Sequence, residues 1–554
     1  MNQLRKMQTT YSLRILLTLL IINAATLAPA SVYNVKNYGA KGDGQTIDSD
    51  AINAAIDAAA ANGGGTVLLP AGDYLSYTLR LKSNITLKID AGATLIAAEP
   101  TADRGYDAPE PNAWNQYQDF GHSHFRNSLI WGEGLEGVSI LGPGKIFGRG
   151  LSRGNGPHAA PYGSPPPPAI DGLLPDVLAA DGDFEILHRP DIVPGPFGHP
   201  NARDTLADGI ANKAIALLSC RNVTMRDLTI LHGGHFAIIT TEVDNLTIDN
   251  LLIDTNRDGI DIDACQNVRI SNTSVNSPWD DAICLKSSHA LGRPRTTENV
   301  TITNCAVSGY DEGTLYDGTR KRTWKTRGGP HGRIKLGTEA GGGFRNITIS
   351  NTTFDHCRGL AFEQVDGGVL EDITVSNITM RDVQNAPIFI RLGARLRNPD
   401  ATGPGTVSRI LIDNVTAWNV APEHGIIMAG LEGHPIEDLV LSNLQFHYRG
   451  GGTAAQAQRI VPEFERDYPD PYNFGTMPAW GMFARHVKNL QLRGVEFRAI
   501  SYDARPAILL DDVQGARVSD LHISGDYNED AWATSNVSKF HARDTSGLQN
   551  GPQL

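Results

Sequence analysis

Residues 268–275 read VRISNTSV, and residues 300–307 read VTITNCAV. In both segments apolar and polar residues alternate, β-branched residues are frequent, and an asparagine separates two short runs. Alternation with a period of two predicts strands that bury one face, and asparagine tolerates the left-handed backbone of a tight turn. Each segment therefore predicts two short strands joined by a sharp corner.

The same pattern recurs along most of the chain. Its copies begin at residues 223, 246, 268, 300, 347, 373, 410 and 439, and the shortest intervals between them are 23 and 22 residues. A coil of this length cannot bury its inner face alone, whereas stacked coils pair every backbone group and share one long core. The repeat predicts an all-β fold, a single-stranded right-handed parallel β-helix with long corner loops and a ladder of corner asparagines.

The chain begins with a pattern typical of export. Residues 1–30 contain basic residues, then an apolar run, then the small-residue site Ala28-Pro29-Ala30. This order predicts a signal peptide cleaved near Ala30 and a secreted or periplasmic protein, with an N-terminal membrane anchor as the alternative. Residues 31–554 are predicted to form one β-helix domain, capped by an alanine-rich helix that ends near Gly63. Insertions at about 100–211, 306–332 and 449–480 are expected to be corner loops.

Charge and cysteine content limit the classes of partner. The net charge of −13 argues against a nucleic acid or an anionic membrane surface. Five cysteines are present without a CxxC pair or a His/Cys metal spacing. They are expected to be buried free thiols, stacked about one repeat apart. We therefore expect a monomer that needs no metal or cofactor.

Two consecutive coils carry a group of aspartates. NRDGID contains Asp258, and WDDAI contains Asp280 and Asp281, one coil later. Equivalent positions of neighbouring coils lie one strand spacing apart, so the three carboxylates are expected to cluster. Repulsion within such a cluster raises the pKa of at least one carboxyl and places a neutral acid beside ionised bases, as glycoside hydrolysis requires. Calcium binding and turn capping remain alternative roles.

Several motifs carry a family resemblance. VYNVKNYGAKGDGQTIDSDAINAAI from residue 32 resembles the opening of the polygalacturonase family, glycoside hydrolase family 28, of the pectin-lyase-like β-helix superfamily. NRDGID resembles its NTDG motif, WDDAI its DD motif, and GPHGRIKLGTE its GHG motif. The resemblance implies an inverting mechanism in which Asp280 is the general acid and Asp258 and Asp281 activate water. His331 would tune the acid or hold the substrate, or else be a structural loop histidine.

The sequence departs from the family where a substrate carboxylate is usually bound. The letters Arg333-Ile334-Lys335 occur directly after His331-Gly332, a position that resembles an ordinary strand, and Glu363 stands where the family's Arg-Ile-Lys motif belongs. Either the carboxylate is read elsewhere or the sugar at that subsite differs. A basic loop within DGTRKRTWKTRGG is one replacement, and a solvated loop is the alternative. The substrate-binding candidates are Asn256, Lys286, Arg320, Arg322, Trp324, Arg327, Glu363 and Arg391.

These observations favour a glycoside hydrolase acting on a galacturonate-containing pectic polysaccharide or oligosaccharide. Long corner loops tend to close a groove into a pocket, which favours exo action, and a rhamnogalacturonan-directed enzyme is also consistent. A pectate-type polysaccharide lyase and a non-catalytic glycan-binding β-helix are the alternatives.

Overall fold

The computed structural model of the protein describes residues 31–117, 122–153, 207–322 and 329–546. Its strands pair in parallel from coil to coil, and the chain forms the right-handed β-helix that the repeat predicts. The predicted signal peptide, residues 1–30, and residues 154–206 of the first predicted insertion lie outside the described ranges.

Three parallel sheets run along the helix. The first sheet contains β1 Val32–Asn34, β3 Gly65–Leu69, β6 Ile85–Ile89, β9 Glu136–Leu141, β12 Arg221–Arg226, β15 Asp244–Asp249, β18 Gln266–Ser271, β21 Thr297–Thr303, β24 Phe344–Asp355, β26 Val369–Arg381, β28 Thr406–Val420, β30 Ile436–Tyr448, β31 Met482–Asp503, β33 Arg517–Tyr527 and β35 His541–Thr545. The second sheet contains β2 Asp43–Ile47, β4 Gly72–Ser76, β7 Ala93–Ala97, β10 Lys145–Phe147, β13 Thr229–Leu231, β16 Leu252–Asp254, β19 Ser274–Asn276 and β22 Ala306–Ser308, which pairs with the end of β24. The third sheet contains β5 Leu79–Arg80, β8 Ile130–Glu133, β11 Lys213–Leu218, β14 Phe236–Thr241, β17 Asp258–Asp263, β20 Ile283–Ser287, β23 Ile334–Ala340, β25 Leu360–Gln364, β27 Ile388–Leu392, β29 Ile426–Ala429, β32 Ile508–Gln514 and β34 Trp532–Ser538, with β31 pairing between β29 and β32.

Identical types of side chain stack along the core. Ile373 of β26 lies opposite Ile347 of the preceding coil and Ile410 of the following one, and all three are buried. Alternation in each strand points such residues inward, while the backbone hydrogen bonds fix which residue they meet. The core is consequently one continuous apolar column.

The corner asparagines form the predicted ladder. Asn377 adopts φ 57°, donates from Nδ2 to Oδ1 of Asn351 at 3.0 Å, and accepts from Nδ2 of Asn414 at 2.6 Å. A second ladder, which the sequence analysis did not predict, runs along the start of the strands of the first sheet. Asn245 donates to Asn222 at 2.9 Å, and Asn346 donates to Asn299 at 2.7 Å. Both ladders satisfy polar side chains at corners whose backbone is left-handed.

The first coil is covered by a helix, as the alanine-rich segment predicts. Helix α1, Ser49–Ala61, packs Ile52, Ala55 and Ile56 onto the core. Short helices α2 Ala454–Ala457 and α3 Pro471–Phe474 and the 3-10 turns Val35–Tyr38 and Asn115–Tyr117 are the other helical elements described. None of the helices in these ranges has the length and apolar character that a membrane span requires.

The five cysteines are buried and unbridged, as expected, but the predicted stacking of thiols one repeat apart is wrong. In register, Cys284 lies opposite Asp261 in one neighbouring coil and Lys335 in the other. Cys265 instead follows the end of β17, where its Sγ accepts from the Val243 N–H at 3.2 Å. A spacing of 19 residues, shorter than the coil, shifts Cys265 out of register with Cys284.

Replacing Asn377 tests the contribution of the ladder to stability. Asn377→Ala removes two side-chain hydrogen bonds. It also leaves alanine in a left-handed backbone conformation, which the polar side chain of asparagine tolerates better. We expect the free energy of unfolding to fall by about 2 kcal/mol. Asn377→Gly removes the same bonds without the backbone strain and should lose about 1 kcal/mol less. Urea unfolding of both variants measures the difference, and equal losses would contradict the strain argument.

Candidate active site

The third sheet brings the predicted catalytic aspartates to one corner. Ile260 of β17 and Ile283 of β20 point into the core, and the aspartates immediately precede them, where the chain enters each strand. The Gly259 N–H donates to the Asp281 carbonyl, and the Ile260 N–H donates to the Ala282 carbonyl, both at 3.0 Å. These two bonds place Asp258 beside the Asp280–Asp281 pair of the next coil.

The histidine of the third motif reaches the same corner. Its N–H donates to the Pro278 carbonyl at 3.0 Å, and the N–H of Gly332 donates to the Asp280 carbonyl at 2.9 Å. The His331 ring consequently places Nδ1 3.9 Å from Oδ1 of Asp280. Burial, with help from the Arg358 charge, lowers the pKa of His331 to about 3, so its imidazole is neutral. The structure thus brings Asp258, Asp280, Asp281 and His331 together.

Two cations that the sequence analysis assigned to an ordinary strand lie within the site. Arg333 donates from Nε to Oδ1 of Asp281, and Lys335 donates from Nζ to Oδ2, each at 2.7 Å. Ile334 between them faces the core, so both charged side chains project to the same outer side. Burial opposes ionisation of Asp281, but these two charges outweigh it and hold its pKa far below the usual range. The interpretation of this strand as ordinary is therefore wrong.

The other two carboxyl groups differ in protonation. Burial and repulsion by the Asp280 and Asp261 carboxylates raise the pKa of Asp258 well above its usual range. Burial would also raise the pKa of Asp280, yet Arg257, whose NH2 group lies 2.6 Å from Oδ2 of Asp280, lowers it. The pKa of Asp258 is thus raised and that of Asp280 lowered, whereas the family resemblance expects the general acid at Asp280.

A buried glutamate lies behind Asp281 and its two cations, Arg333 and Lys335. Glu363 is fully buried, and its Oε1 lies 3.8 Å from NH1 of Arg333. Neither carboxyl oxygen of Glu363 has a hydrogen-bond partner among the described residues. Burial raises its pKa to about 7 against the lowering effect of Lys335 and Arg333. Glu363 is thus packed against the catalytic corner and lies beneath the surface.

Three side chains of this corner have the donor atoms and the spacing of metal ligands. Ligand atoms of Asp280, Asp281 and His331 all lie within 4.8 Å of one another, a spacing that a cation could use. However, Arg333 and Lys335 already bind both oxygens of Asp281, and Arg257 binds Asp280. A divalent cation would be repelled by these three charges, so the arrangement suits acid–base chemistry better than calcium binding.

The remaining substrate-binding candidates separate into two groups, of which the first lies near the aspartates. Lys286 is buried, with Nζ 3.5 Å from Asp261 and 3.3 Å from Glu339, and its charge lowers the pKa of Asp258. Asn256 is buried next to Arg257 and accepts on its carbonyl from the Trp279 N–H at 3.0 Å. Both are part of the catalytic corner.

In the second group, the described residues Arg322 and Arg391 are bound to other partners. Arg322 donates to Asp355 at 2.8 Å and to Asp382 at 2.6 Å, so the predicted role of its charge in the cleft is wrong. Arg320 is exposed on the same loop, and Trp324 and Arg327 lie outside the described residues. Arg391 is also a correction: it is buried and donates to backbone carbonyls, including that of Glu463 at 2.6 Å. It braces the 449–480 insertion because a buried guanidinium needs acceptors on all its N–H groups.

Two loops cover the sheet on either side of the aspartates. On the N-terminal side, Nε2 of His122 lies 3.3 Å from Asp261, and Phe125 packs on Phe236 and Ile239. On the C-terminal side, the 449–480 insertion places Asp470 2.6 Å from Arg358 and the Tyr468 hydroxyl 3.4 Å from Nζ of Lys335. It also packs Phe474 and Met477 on Ala361 and Phe389. The described part of the groove is therefore bounded at both ends.

Comparison with known proteins places the geometry in a family context. The family model described as glycosyl hydrolases family 28 matches residues 201–463, and that described as rhamnogalacturonase A/epimerase, pectate lyase-like, matches residues 32–113. The chain is 24% identical over 391 residues to the exo-poly-alpha-D-galacturonosidase of Dickeya chrysanthemi, covering 67% of this chain and 58% of that protein's length. It is 23% identical over 461 residues to the exopolygalacturonase of Platanus acerifolia, covering 78% of this chain and 95% of the relative.

A solved structure shares the fold. The family 28 exopolygalacturonase of Yersinia enterocolitica superposes with a TM-score of 0.57 at 19% identity, covering 93% of this chain and 78% of that one.

Substituting Glu363 tests the electrostatics of the buried corner. A carboxyl whose pKa rises from 4.5 to about 7 on folding gives stability that is complete below pH 4.5 and is lost as the pH rises through 7. Glu363→Gln mimics the protonated form, so its stability relative to wild type should increase by about 3 kcal/mol between pH 4 and pH 8. Urea unfolding at both pH values measures this, with the exposed Glu529→Gln as control. Parallel curves for wild type and Glu363→Gln would contradict the raised pKa.

Proposed function

We propose that the chain, whose residues 201–463 match the model of glycosyl hydrolases family 28, is an exo-acting hydrolase of that family that releases galacturonate units from pectic polysaccharides or oligosaccharides. The observation that carries this proposal is the corner at which Asp258 lies beside Asp280 and Asp281. There, cations contact Asp280 and Asp281 and lower their pKa values, while burial and repulsion raise the pKa of Asp258.

The three carboxyl groups divide the work of an inverting hydrolase. One carboxylic acid must protonate the leaving oxygen while a carboxylate on the other face removes a proton from water. The family resemblance assigns the first role to Asp280 and the second to Asp258 and Asp281. Arg333 and Lys335 keep Asp281 ionised, so it orients water as a permanent acceptor. His331, neutral and 3.9 Å from Asp280, is placed to donate or accept a hydrogen bond at the acid or at a sugar hydroxyl.

The covered ends of the groove support exo action. Enzymes that cut within a polymer need a groove through which the chain can pass, whereas the segment with His122 and Phe125 and the 449–480 insertion stand on either side of the aspartates. A bounded site accepts the end of a chain. The names of the Dickeya and Platanus relatives, both exo-acting galacturonan hydrolases, point the same way.

A polymeric acidic substrate also fits export of the protein. We infer that residues 1–30 direct it to the periplasm or the exterior, where it meets pectic polysaccharide, and that it acts as a monomer. The net charge of −13 makes local cations at the site necessary for such a substrate.

Product analysis tests the proposal. With galacturonan oligosaccharides of defined length, we expect galacturonate from the first minutes and oligosaccharides shortened one unit at a time. The sugar should first appear, by NMR, with the anomeric configuration opposite to that of the cleaved bond, because a single displacement inverts the carbon. Mixed fragments of intermediate length would contradict exo action. A retained anomer would contradict inversion, and an unsaturated product absorbing in the ultraviolet would identify a lyase.

Conservative variants test the carboxyl groups separately. Asp258→Asn, Asp280→Asn and Asp281→Asn should each lower kcat by about 1,000-fold because each removes a proton donor or acceptor from the reaction. Exposed Asp530→Asn is the control. If the parent protein binds oligogalacturonide without turnover and the three variants bind it equally well, the protein is a glycan-binding β-helix instead.

A further inference from the structure

Among the described cations that contact the catalytic carboxylates, Arg257 is the most exposed. It stands where the resembling NTDG motif has threonine, directly before Asp258. Its NH2 group lies 2.6 Å from Oδ2 of Asp280, and the two side chains are 23% and 20% exposed. Arg333 and Lys335, by comparison, are almost completely buried against Asp281. A ligand entering the site would therefore meet Arg257 before the other cations.

Two of the other arginines considered as readers of a substrate carboxylate are engaged elsewhere. Arg322 is paired with Asp355 and Asp382 at a different corner, and Arg391 donates to buried carbonyls. Arg257 carries a planar guanidinium whose NH2 group contacts Asp280, and its backbone is anchored by Ser277, whose hydroxyl donates to the Arg257 carbonyl at 2.6 Å. An arginine can exchange one carboxylate for another at low cost.

In the free protein the pKa of Asp258 is raised and that of Asp280 is lowered, an order that favours the product state of an inverting reaction. The charged and titratable groups that face Asp280 are Arg257, Asp258, Asp281, His331, Lys335 and Tyr468. Those that face Asp258 are Asp261, Asp280, Asp281, Lys286 and His235. Within this set, Arg257 favours the ionised form of Asp280 and leaves the proton on Asp258. Hydrolysis needs the reverse distribution.

We propose that Arg257 binds a carboxylate of the substrate, and that its transfer from Asp280 to that carboxylate moves a proton from Asp258 to Asp280 and so prepares the site for hydrolysis. This inference rests on the proposed function, because it assumes a uronide substrate and acid–base chemistry. It identifies Arg257 as the carboxylate reader that the missing Arg-Ile-Lys coil leaves unassigned. It also explains how an ionised Asp280 becomes the acid.

The Asp258–Asp280 pair carries the same number of protons before and after one turnover. When Arg257 moves to the substrate, Asp280 accepts the proton that Asp258 releases, so the pair holds one proton throughout. The glycosidic carbon–oxygen bond then breaks as Asp280 donates its proton to the leaving oxygen. Water adds to the anomeric carbon and gives a proton to Asp258. Product release returns Arg257 to Asp280, which restores the protonation of the free protein.

The first test uses the wild-type protein and two substrates. An oligogalacturonide is compared with the same oligosaccharide after reduction of its carboxyl groups to primary alcohols. Without a carboxylate, Arg257 stays on Asp280 and the acid is not protonated, so kcat itself should fall by about 100-fold, in addition to any rise in KM. A reduced substrate that shows the same kcat with only a raised KM would overturn the proton transfer.

The second test compares Arg257→Gln, Arg257→Lys and Arg345→Gln. The Gln variant should lose about 10–100-fold in kcat/KM on the galacturonide and much less on the reduced substrate, so the preference for uronide collapses. The Lys variant keeps the charge and should recover part of this preference. Arg345, ion-paired with Glu371 on the outside of the first sheet, is the matched control and should change neither value.

The pH profile separates this role from a structural one. Removing the Arg257 charge raises the pKa of Asp280, so the state in which Asp258 and Asp280 are both protonated, and Asp258 cannot accept a proton from water, persists to higher pH. The acid limb of kcat/KM should move to higher pH by about one pH unit in Arg257→Gln, and less in Arg257→Lys. An unmoved acid limb, or equal losses on both substrates, would show that Arg257 is only a brace. Absence of hydrolysis of any uronide by the wild type would overturn the proposed function itself.

Discussion

The structure depends on the backbone register between successive coils. Parallel hydrogen bonds fix each residue beside its equivalent in the next coil, so a side chain is positioned by its place in the repeat more than by its neighbours in sequence. In the core this register stacks Ile347, Ile373 and Ile410. At the corner that leads into the third sheet, the same register brings carboxyl groups from two coils together. Their mutual repulsion and the loss of their hydration oppose this approach. One constraint thus supplies both the stability of the fold and the density of charge in the site.

A cluster of buried carboxylates is costly unless cations compensate it. Cations compensate the three carboxylates to different degrees. Asp281 receives two buried cations, Arg333 and Lys335, while Asp280 receives the partly exposed Arg257. For Asp258 the unfavourable effects of burial and repulsion dominate, which is why its pKa is raised. Differences in cation supply, rather than differences between the carboxyl groups, give the three aspartates different chemical character.

The corner loops determine which ligands can reach the charged groups of the active site. The insertions are attached at corners, where extra residues do not disturb the register of the sheets. The 449–480 insertion is held by Arg391 and Lys335 of the third sheet and by Arg358, which lies just before β25. Its position beside the aspartates therefore follows from side chains of the same sheet that carries the catalytic corner. Shape and chemistry of the site are coupled through these shared cations.

The sequence by itself determined the repeat, and through it the β-helix, the asparagine ladder, the capping helix and the proximity of Asp258 to the Asp280–Asp281 pair. These features depend on periodicity and on local backbone preferences, which a sequence records directly. Only the tertiary structure decided which cation meets which carboxylate. Arg333 meets Asp281 across 52 residues of sequence, and the basic loop that seemed suited to the substrate places Arg322 on Asp355 and Asp382 instead. Such pairings depend on the lengths of the insertions between coils and on burial, because alternation fixes the face on which a charge lies but not the partner that it finds there.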